Sequence, residues 1–114
     1  CVLCNTHIKW DALLRRADQL GCEFIATGHY ANVHFDPATG RHYISKGLDE
    51  AKDQSYALWG VSQASLARTL LPLGHLRKTE IRALAAERGF VDLVNKPESY
   101  EICFVPDNDY RGFL

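Results

Sequence analysis

The sequence contains no methionine, and no apolar run approaches the ~20 residues that a membrane-spanning helix requires. A basic segment followed by an apolar stretch, the pattern of a secretory signal peptide, is also missing. The formal charge is only −1 over 114 residues, whereas free-standing nucleic-acid-binding domains usually carry a strong basic excess. These features exclude a transmembrane protein and argue against autonomous nucleic-acid binding. We therefore expect a cytoplasmic protein with no membrane partner.

The composition is that of an ordinary globular protein, with 46% hydrophobic and 24% charged residues. The length predicts one domain whose burial is incomplete. Because the chain begins at Cys1 without an initiator methionine, we expect it to be a piece of a longer protein.

The first 30 residues have the pattern of one α/β unit. Asn5 or Thr6 can cap a helix that runs to about Leu20, and Gly21 is a natural helix stop. The apolar residues at helical spacing are Trp10, Leu13, Leu14 and Ala17. A short apolar strand over 23–27 then ends in Gly28-His29-Tyr30, and ligands of open α/β sheets bind at such carboxyl ends of strands.

A hairpin and helices are predicted after this unit. Residues 30–35 and 42–46 flank a turn cluster at 36–40, and a polar loop follows at 47–54. Further expected elements are a helix from a Ser62 cap to about Leu70, a helix from a Thr79 cap to Arg88 ended by Gly89, a strand over Tyr100–Val105 and a last turn starting at Asn108 or Asp109. The fold class is therefore α/β, with a possible domain boundary near Tyr30.

The four cysteines leave several chemistries open. Cys22 opens an apolar strand and is interpreted as a buried free thiol. Cys1 and Cys4 form a CxxC pair, which suggests either zinc, completed by His7, His29 or Cys103, or redox chemistry. Redox chemistry is favoured because Cys4 precedes the expected helix cap, where the helix dipole favours a thiolate. Cys103, in an apolar strand-like stretch, would by itself be a core cysteine.

Several short strings together resemble the tRNA-specific 2-thiouridylases, which replace the 2-oxygen of the anticodon wobble uridine with sulfur. They occur in the family's order across nearly the whole chain. The strings are Cys4-Asn5, Ile8-Lys9-Trp10, Ala26-Thr27-Gly28-His29-Tyr30, Gly47-Leu48-Asp49, Lys52-Asp53-Gln54-Ser55-Tyr56, Leu71-Pro72-Leu73-Gly74 and Glu101-Ile102-Cys103-Phe104.

The resemblance implies a domain assignment. Residues 1–30 correspond to the end of a Rossmann-like, PP-loop ATP-binding domain, and residues 31–114 to a small mixed central domain that contacts tRNA. The family's Gly-rich pyrophosphate loop and its C-terminal β-barrel have no counterpart in this sequence. The chain by itself is therefore expected to be inactive and to bind ATP and tRNA weakly.

The resemblance also implies a mechanism with ATP, accompanied by Mg²⁺, and no structural metal. ATP adenylates the 2-oxygen of the uridine and makes it a leaving group. The cysteine matching Cys103 accepts a persulfide from a sulfur-relay protein and delivers its terminal sulfur. The cysteine matching Cys4 completes the transfer as a nucleophile, either by releasing sulfide or by forming a disulfide with Cys103.

Other site residues carry over one by one. Gly28 matches a glycine beside ATP, although alone it would be a plain turn glycine. His29 matches a tRNA contact, although alone it would be a surface or half-buried histidine. The segment that contacts tRNA in the family matches Lys52, Asp53 and Gln54, which alone would be an exposed loop. A flipped base could stack on aromatic side chains at Tyr30, Tyr56 or Trp59, but core positions are the favoured interpretation for Tyr56 and Trp59.

Overall fold

Helices, a parallel strand pair and an antiparallel hairpin make up residues 2–96, the part of the chain that the computed structural model describes. In chain order the elements are a π-helical segment (Cys4–Trp10), α1 (Asp11–Gln19), β1 (Ile25–Ala26), β2 (Ala31–Asp36), β3 (Arg41–Lys46), a 3₁₀ helix (Ser55–Leu58), α2 (Gln63–Leu66), β4 (Thr69–Leu70), α3 (Lys78–Glu87) and α4 (Val91–Val94). This mixture confirms the α/β class.

The first helix does not begin at a cap on Asn5 or Thr6, so that prediction was wrong. Val2 and Leu3 are already helical, and the π-helical segment continues without interruption into α1. Thr6 Oγ1 donates to the carbonyl of Val2 at 3.0 Å, and the amide of Asn5 is used in a tertiary contact. Asn and Thr side chains compete for backbone groups inside helices as well as at their ends, and here they do so inside.

Both predicted glycine stops are confirmed, and both have the same geometry. Gly21 has a φ of +71° and follows α1, where Cys22 N donates to Ala17 O at 2.8 Å. Gly89 has a φ of +89° and follows α3, where Phe90 N donates to Ala85 O at 2.8 Å. A left-handed glycine with a 6→1 backbone bond is the Schellman motif, which satisfies carbonyls that a helix end leaves unpaired.

The parallel pair β1–β4 corrects the prediction of one helix from Ser62 to Leu70. Ser62 does cap α2, since its Oγ accepts from Ser65 N at 3.2 Å, but the helix ends at Leu66. Thr69 and Leu70 instead pair with Ile25 and Ala26. Pairing along the sheet overrides the helical spacing of the leucines.

The predicted hairpin is confirmed as β2 and β3, which pair antiparallel from Ala31↔Lys46 to Asp36↔Arg41. The side-chain amide of Gln63 closes part of the outer edge of β3, because it accepts from His42 N and donates to His42 O, each at 2.8 Å. Such a cover removes unpaired backbone groups from a strand edge.

The buried core gathers side chains from the π-helical segment, α1, β1, β2, the 3₁₀ helix and the α2–β4 region. Its members are Trp10, Ala17, Ile25, Ala31, Leu58, Val61, Leu66 and Leu71. Cys22 is exposed, so its assignment as a buried thiol was wrong. The backbone carbonyl of Cys22 is used instead, since it accepts from Arg68 Nη2 at 3.0 Å.

The described residues divide into two compact units between Ile81 and Arg82, within α3. The predicted boundary near Tyr30 remains a prediction. Thr79 lies inside α3 rather than at its cap, and Glu80 Oε2 accepts from Arg77 N at 2.6 Å at the helix start. The predicted strand at 100–105 and the turn at Asn108 or Asp109 lie outside the described residues. Within residues 2–96, no helix is long and apolar enough to cross a bilayer.

Candidate functional site

The carboxyl end of β1 carries the Thr27-Gly28-His29 turn. β1 is held in place by β4, because Ile25 N donates to Arg68 O at 2.9 Å and Thr27 N donates to Leu70 O at 3.1 Å. The strand pairing therefore fixes where this polar turn begins, at the position where α/β sheets bind their ligands.

His29 is buried, more so than its sequence context alone predicted. Its Nδ1 lies 2.8 Å from Thr27 Oγ1, and its ring centroid lies 5.3 Å from that of Trp10. Desolvation by burial, and then the nearby charge of Lys9, hold the pKa of His29 below its usual value. The neutral imidazole is therefore favoured, and it can donate or accept a hydrogen bond according to its tautomer.

A shallow cleft of about 540 Å³ lies between the first helices and this turn. It is lined by Ile8, Lys9, Ala12, Leu13, Arg16, Thr27 and His29. Lys9 and Arg16 are exposed and lie seven residues apart, so two cationic side chains share the helical face beside His29. Sequence reasoning missed this pair as a site feature, although the i, i+7 spacing carries the signal.

Gly28 is exposed, and its surroundings do not require a glycine. A Cβ placed there would meet Leu73 Cδ1 at 3.6 Å, which is an ordinary van der Waals contact. The fold therefore leaves room for a small side chain at this position, with Leu73 as its neighbour.

Gln54 joins the 52–54 loop to the turn at His29. Its backbone N–H donates to Tyr30 O at 2.9 Å, and its side-chain Oε1 accepts from Tyr30 N at 3.2 Å. The two segments that the resemblance assigns to tRNA contact are therefore adjacent, although 24 residues separate the bonded pair in sequence.

The carboxylate of Asp53 accepts hydrogen bonds from both ends of its loop. Its Oδ1 accepts from Gly47 N at 2.8 Å, and its Oδ2 accepts from Ser55 Oγ at 2.7 Å. Desolvation raises the pKa of Asp53, but the hydrogen bonds from Ser55 and Gly47, with the charge of Lys46, outweigh it and leave the pKa below its usual value. Lys52 is half-buried, and its N–H donates to Asp49 O at 3.0 Å.

Two of the three aromatic residues considered for base stacking are exposed, although they were predicted to be core residues. Tyr56 and Trp59 are 66% and 77% exposed, so their assignment to the core was wrong. They lie three residues apart along the 3₁₀ helix and its end, a spacing that aligns side chains on one face. Both line a second cleft of about 470 Å³ between the 3₁₀ helix, α2 and β3. Tyr30 is buried, with Lys78 Nζ 5.6 Å from its ring centroid.

Cys4 is a free, partly exposed cysteine inside the π-helical segment. Since no helix cap follows it, the expected cap-assisted thiolate has no structural basis. His7 Nδ1 lies 3.6 Å from Asp11 Oδ2 on the same helical stretch. Cys1 and Cys103, and with them the predicted Cys4–Cys103 pairing, lie outside the described residues. Within residues 2–96, no group of three or more His, Cys, Asp or Glu side chains is arranged to hold a metal ion.

Curated relatives match the whole chain and confirm the resemblance inferred from the motifs. The chain is 77% identical to the tRNA-specific 2-thiouridylase MnmA of Cytophaga hutchinsonii, 72% to that of Amoebophilus asiaticus and 46% to that of Clostridioides difficile. All 114 residues align in each case, but they cover only 30%, 30% and 31% of the respective relatives. The chain thus spans about three tenths of their length.

A family model described as the tRNA methyl transferase HUP domain matches residues 1–107. This match agrees with the α/β architecture and with the PP-loop type of domain that the resemblance implied for residues 1–30. The chain therefore belongs to the tRNA methyl transferase HUP domain family.

Proposed function

We propose that this chain is part of an enzyme that replaces the 2-oxygen of the wobble uridine in tRNA anticodons with sulfur. One observation carries the proposal: Gln54 bonds twice to Tyr30 and so joins the 52–54 loop to the turn that holds His29. The names of the relatives, each a tRNA-specific 2-thiouridylase, support the same activity. A cytoplasmic location belongs to this proposal.

The tRNA contact is assigned to His29, Lys52 and Gln54. Lys52 is suited to a phosphate, and a neutral His29 is suited to a hydrogen bond near the target base. Asp53 takes part indirectly, because both of its carboxylate oxygens accept bonds from within the loop and hold its shape. Lys9 and Arg16, on the helical face beside His29, add positive charge that favours an RNA phosphate.

Nucleotide binding is assigned to the end of β1. Gly28 fits this role, because it is exposed and follows the carboxyl end of the strand, where α/β sheets bind their ligands. When bound there with Mg²⁺, ATP supplies the adenylyl group that makes the 2-oxygen of uridine a leaving group. The membership in a HUP domain family supports nucleotide binding in general.

Sulfur transfer is assigned to Cys103 and Cys4. Cys103 receives a persulfide from a sulfur-relay protein, and its terminal sulfur attacks C2 of the uridine as the activated oxygen leaves. The Cys4 thiolate then attacks Cys103 Sγ, which breaks the sulfur–sulfur bond, leaves sulfur on the base and forms a Cys4–Cys103 disulfide. In the alternative route, the Cys4 thiolate attacks Cys103 Sγ of the persulfide first, which forms the Cys4–Cys103 disulfide and releases sulfide. The sulfide then attacks C2 of the uridine as the activated oxygen leaves.

The test uses the intact protein that contains this chain, with tRNA, ATP and a sulfur donor, and it measures 2-thiouridine. Cys4→Ser and Cys103→Ser should each abolish the product. Cys22→Ser is the matched control, because Cys22 is an exposed thiol of the same chain that the proposal does not use. It should retain full activity.

Two outcomes would contradict the proposal. If Cys103→Ser retains activity, the persulfide carrier is misassigned, and a site around Cys1, Cys4 and His7 becomes the leading alternative. That site predicts stoichiometric zinc and thiols that are protected from alkylation. If Cys4→Ser and Cys103→Ser both leave thiolation intact, the chain is an adaptor that only binds tRNA or a sulfur-relay protein.

A further inference from the structure

Asn5, the residue after Cys4 in the π-helical segment, is only 3% exposed and contacts the 3₁₀ helix at Ala57. Its Nδ2 donates to Ala57 O at 3.4 Å. Its Oδ1 is sealed from solvent and has no hydrogen-bond partner among the described residues. A buried amide with one unpaired atom is unfavourable for stability, so its placement calls for an explanation other than stability.

The segment that carries Asn5 is π-helical, with a wider turn than an α-helix. Single π-turns inside helices occur frequently at functional sites. The segment also lies directly against the end of the 3₁₀ helix, because a Cβ at Gly60 would come within 2.5 Å of Thr6 Oγ1. Asn5 and Thr6 therefore hold the turn that carries Cys4 on the Ala57–Gly60 stretch.

The same 3₁₀ helix is connected to the proposed tRNA-contacting turn. Ala57 N donates to Gln54 O at 3.0 Å, and Gln54 bonds to both backbone groups of Tyr30. A continuous series of hydrogen bonds thus runs from Asn5 through Ala57 and Gln54 to Tyr30. Asn5, next to Cys4, and Tyr30, next to His29, are therefore both bonded to the 3₁₀ helix or its N-terminal residue Gln54.

We propose that Asn5 is a positioning residue, whose bond to Ala57 sets the orientation of the Cys4 thiol relative to the turn that holds His29. This inference rests on the proposed function, in which Cys4 is the nucleophile. Its chemical reason is geometric: a displacement of about 1 Å of a reacting group can slow a reaction about 100-fold. Loss of the Asn5 bond should therefore slow the sulfur-transfer step and leave tRNA binding intact.

The test compares Asn5→Ala and Asn5→Asp with wild type in the intact protein. Asp has nearly the shape of Asn, but its carboxylate cannot donate to Ala57 O, so it separates the hydrogen bond from the packing. Both variants should lower kcat about tenfold or more and keep KM for tRNA within about twofold. Leu66→Ala is the matched control, since it removes a buried core side chain but neither partner of the Asn5–Ala57 hydrogen bond.

A second readout needs no turnover. Alkylation by iodoacetamide is followed for each cysteine by mass spectrometry, with the exposed Cys22 as the internal reference thiol. The ratio of the Cys4 rate to the Cys22 rate should change in both Asn5 variants. It should stay at the wild-type value in Leu66→Ala at a temperature where the variants are equally folded.

The inference is overturned if the Asn5 variants keep wild-type kcat and the wild-type alkylation ratio, or if Leu66→Ala reproduces their effect. Failure of the proposed function looks different, because Cys4→Ser would then retain thiolation. An inactive Cys4→Ser beside a fully active Asn5→Asp would reject the positioning role alone.

Discussion

Trp10 Nε1 donates to Thr69 Oγ1 at 2.9 Å, and Trp10 is 1% exposed. Thr69 Oγ1 in turn donates to Ser65 O at 2.7 Å, so one hydroxyl serves an indole and a helix carbonyl. The contact joins the end of the helical segment that bears Cys4 to β4, the strand that supports β1. The position of the candidate site thus depends on a bond between residues 59 positions apart.

Thr69→Val should destabilise the protein without changing the shape of this side chain much. The substitution leaves the buried indole N–H and the Ser65 carbonyl without their partner, which costs about 1–3 kcal/mol. The measurement is the free energy of unfolding in urea. Thr79→Val is the matched control, because Thr79 is exposed, and it should change stability by less than about 0.5 kcal/mol. Equal effects of the two changes would contradict the role of the bond.

Substitution by alanine should reduce stability at Gly74 but not at Gly28. A Cβ at Gly74 would collide with the carbonyl oxygen of Ala31 and the side chain of Asn32, so Gly74→Ala should destabilise the fold by about 1–3 kcal/mol or more. A Cβ at Gly28 meets only Leu73 Cδ1 at 3.6 Å, so Gly28→Ala should leave the unfolding midpoint nearly unchanged. It should raise the Kd for ATP in the intact protein, because the methyl group occupies the space assigned to the nucleotide. Unaltered ATP binding by Gly28→Ala would remove Gly28 from the nucleotide site.

Protonation of His29 should make the protein less stable in mild acid. Burial, and then Lys9, keep the pKa of His29 below 6.5 in the folded protein, whereas the unfolded chain has the ordinary value of about 6.5. As the pH falls through about 6.5, the unfolded chain takes up a proton that the folded protein excludes, so the free energy of unfolding falls. The loss continues until the pH reaches the folded pKa, at a rate of at most about 1.4 kcal/mol per pH unit.

His29→Gln should therefore flatten the dependence of stability on pH between about 7 and 5.5. Denaturant titrations at several pH values measure this slope. His34→Gln is the matched control, since His34 is an exposed histidine of the hairpin. A slope that changes equally in the two variants would show that burial of His29 is not its source.

Trp59→Ala should weaken tRNA binding without affecting the fold. Trp59 is 77% exposed, so stability should change by less than about 0.5 kcal/mol. Stacking of a base on an aromatic side chain is worth about 1–3 kcal/mol, so the Kd for tRNA should rise about fivefold or more. Filter binding or fluorescence anisotropy gives the Kd, and Trp59→Phe should restore most of the affinity. A Kd that does not change would assign the exposed face of Tyr56 and Trp59 to something other than tRNA.

Local features were the ones that the sequence predicted correctly. The left-handed glycines Gly21 and Gly89, the Ser62 cap and the hairpin around residues 36–40 each depend on backbone preferences within a few residues. The motifs also identified the family, because they are short strings whose order needs no structure to recognise.

Contacts between distant segments account for the predictions that were wrong. Asn5 has the preference of a cap, but its amide bonds to Ala57, 52 residues away. The leucines after Ser62 suit a helix, but β4 pairs with β1 and ends it. Tryptophan is a residue type common in cores, yet Trp59 is exposed at the end of a short 3₁₀ helix. Neither the two contacts nor the exposure of Trp59 can be inferred from residue spacing along the chain.

The sequence by itself therefore determined the hairpin turn, the glycine stops after α1 and α3, the α/β class and the family. Only the tertiary structure decided that Gln54 meets Tyr30, that Asn5 meets Ala57 and that His29 is buried beside Trp10. The physical reason is range: backbone preferences act over a few residues. Burial and long-range hydrogen bonds depend on which segments the folded chain brings together.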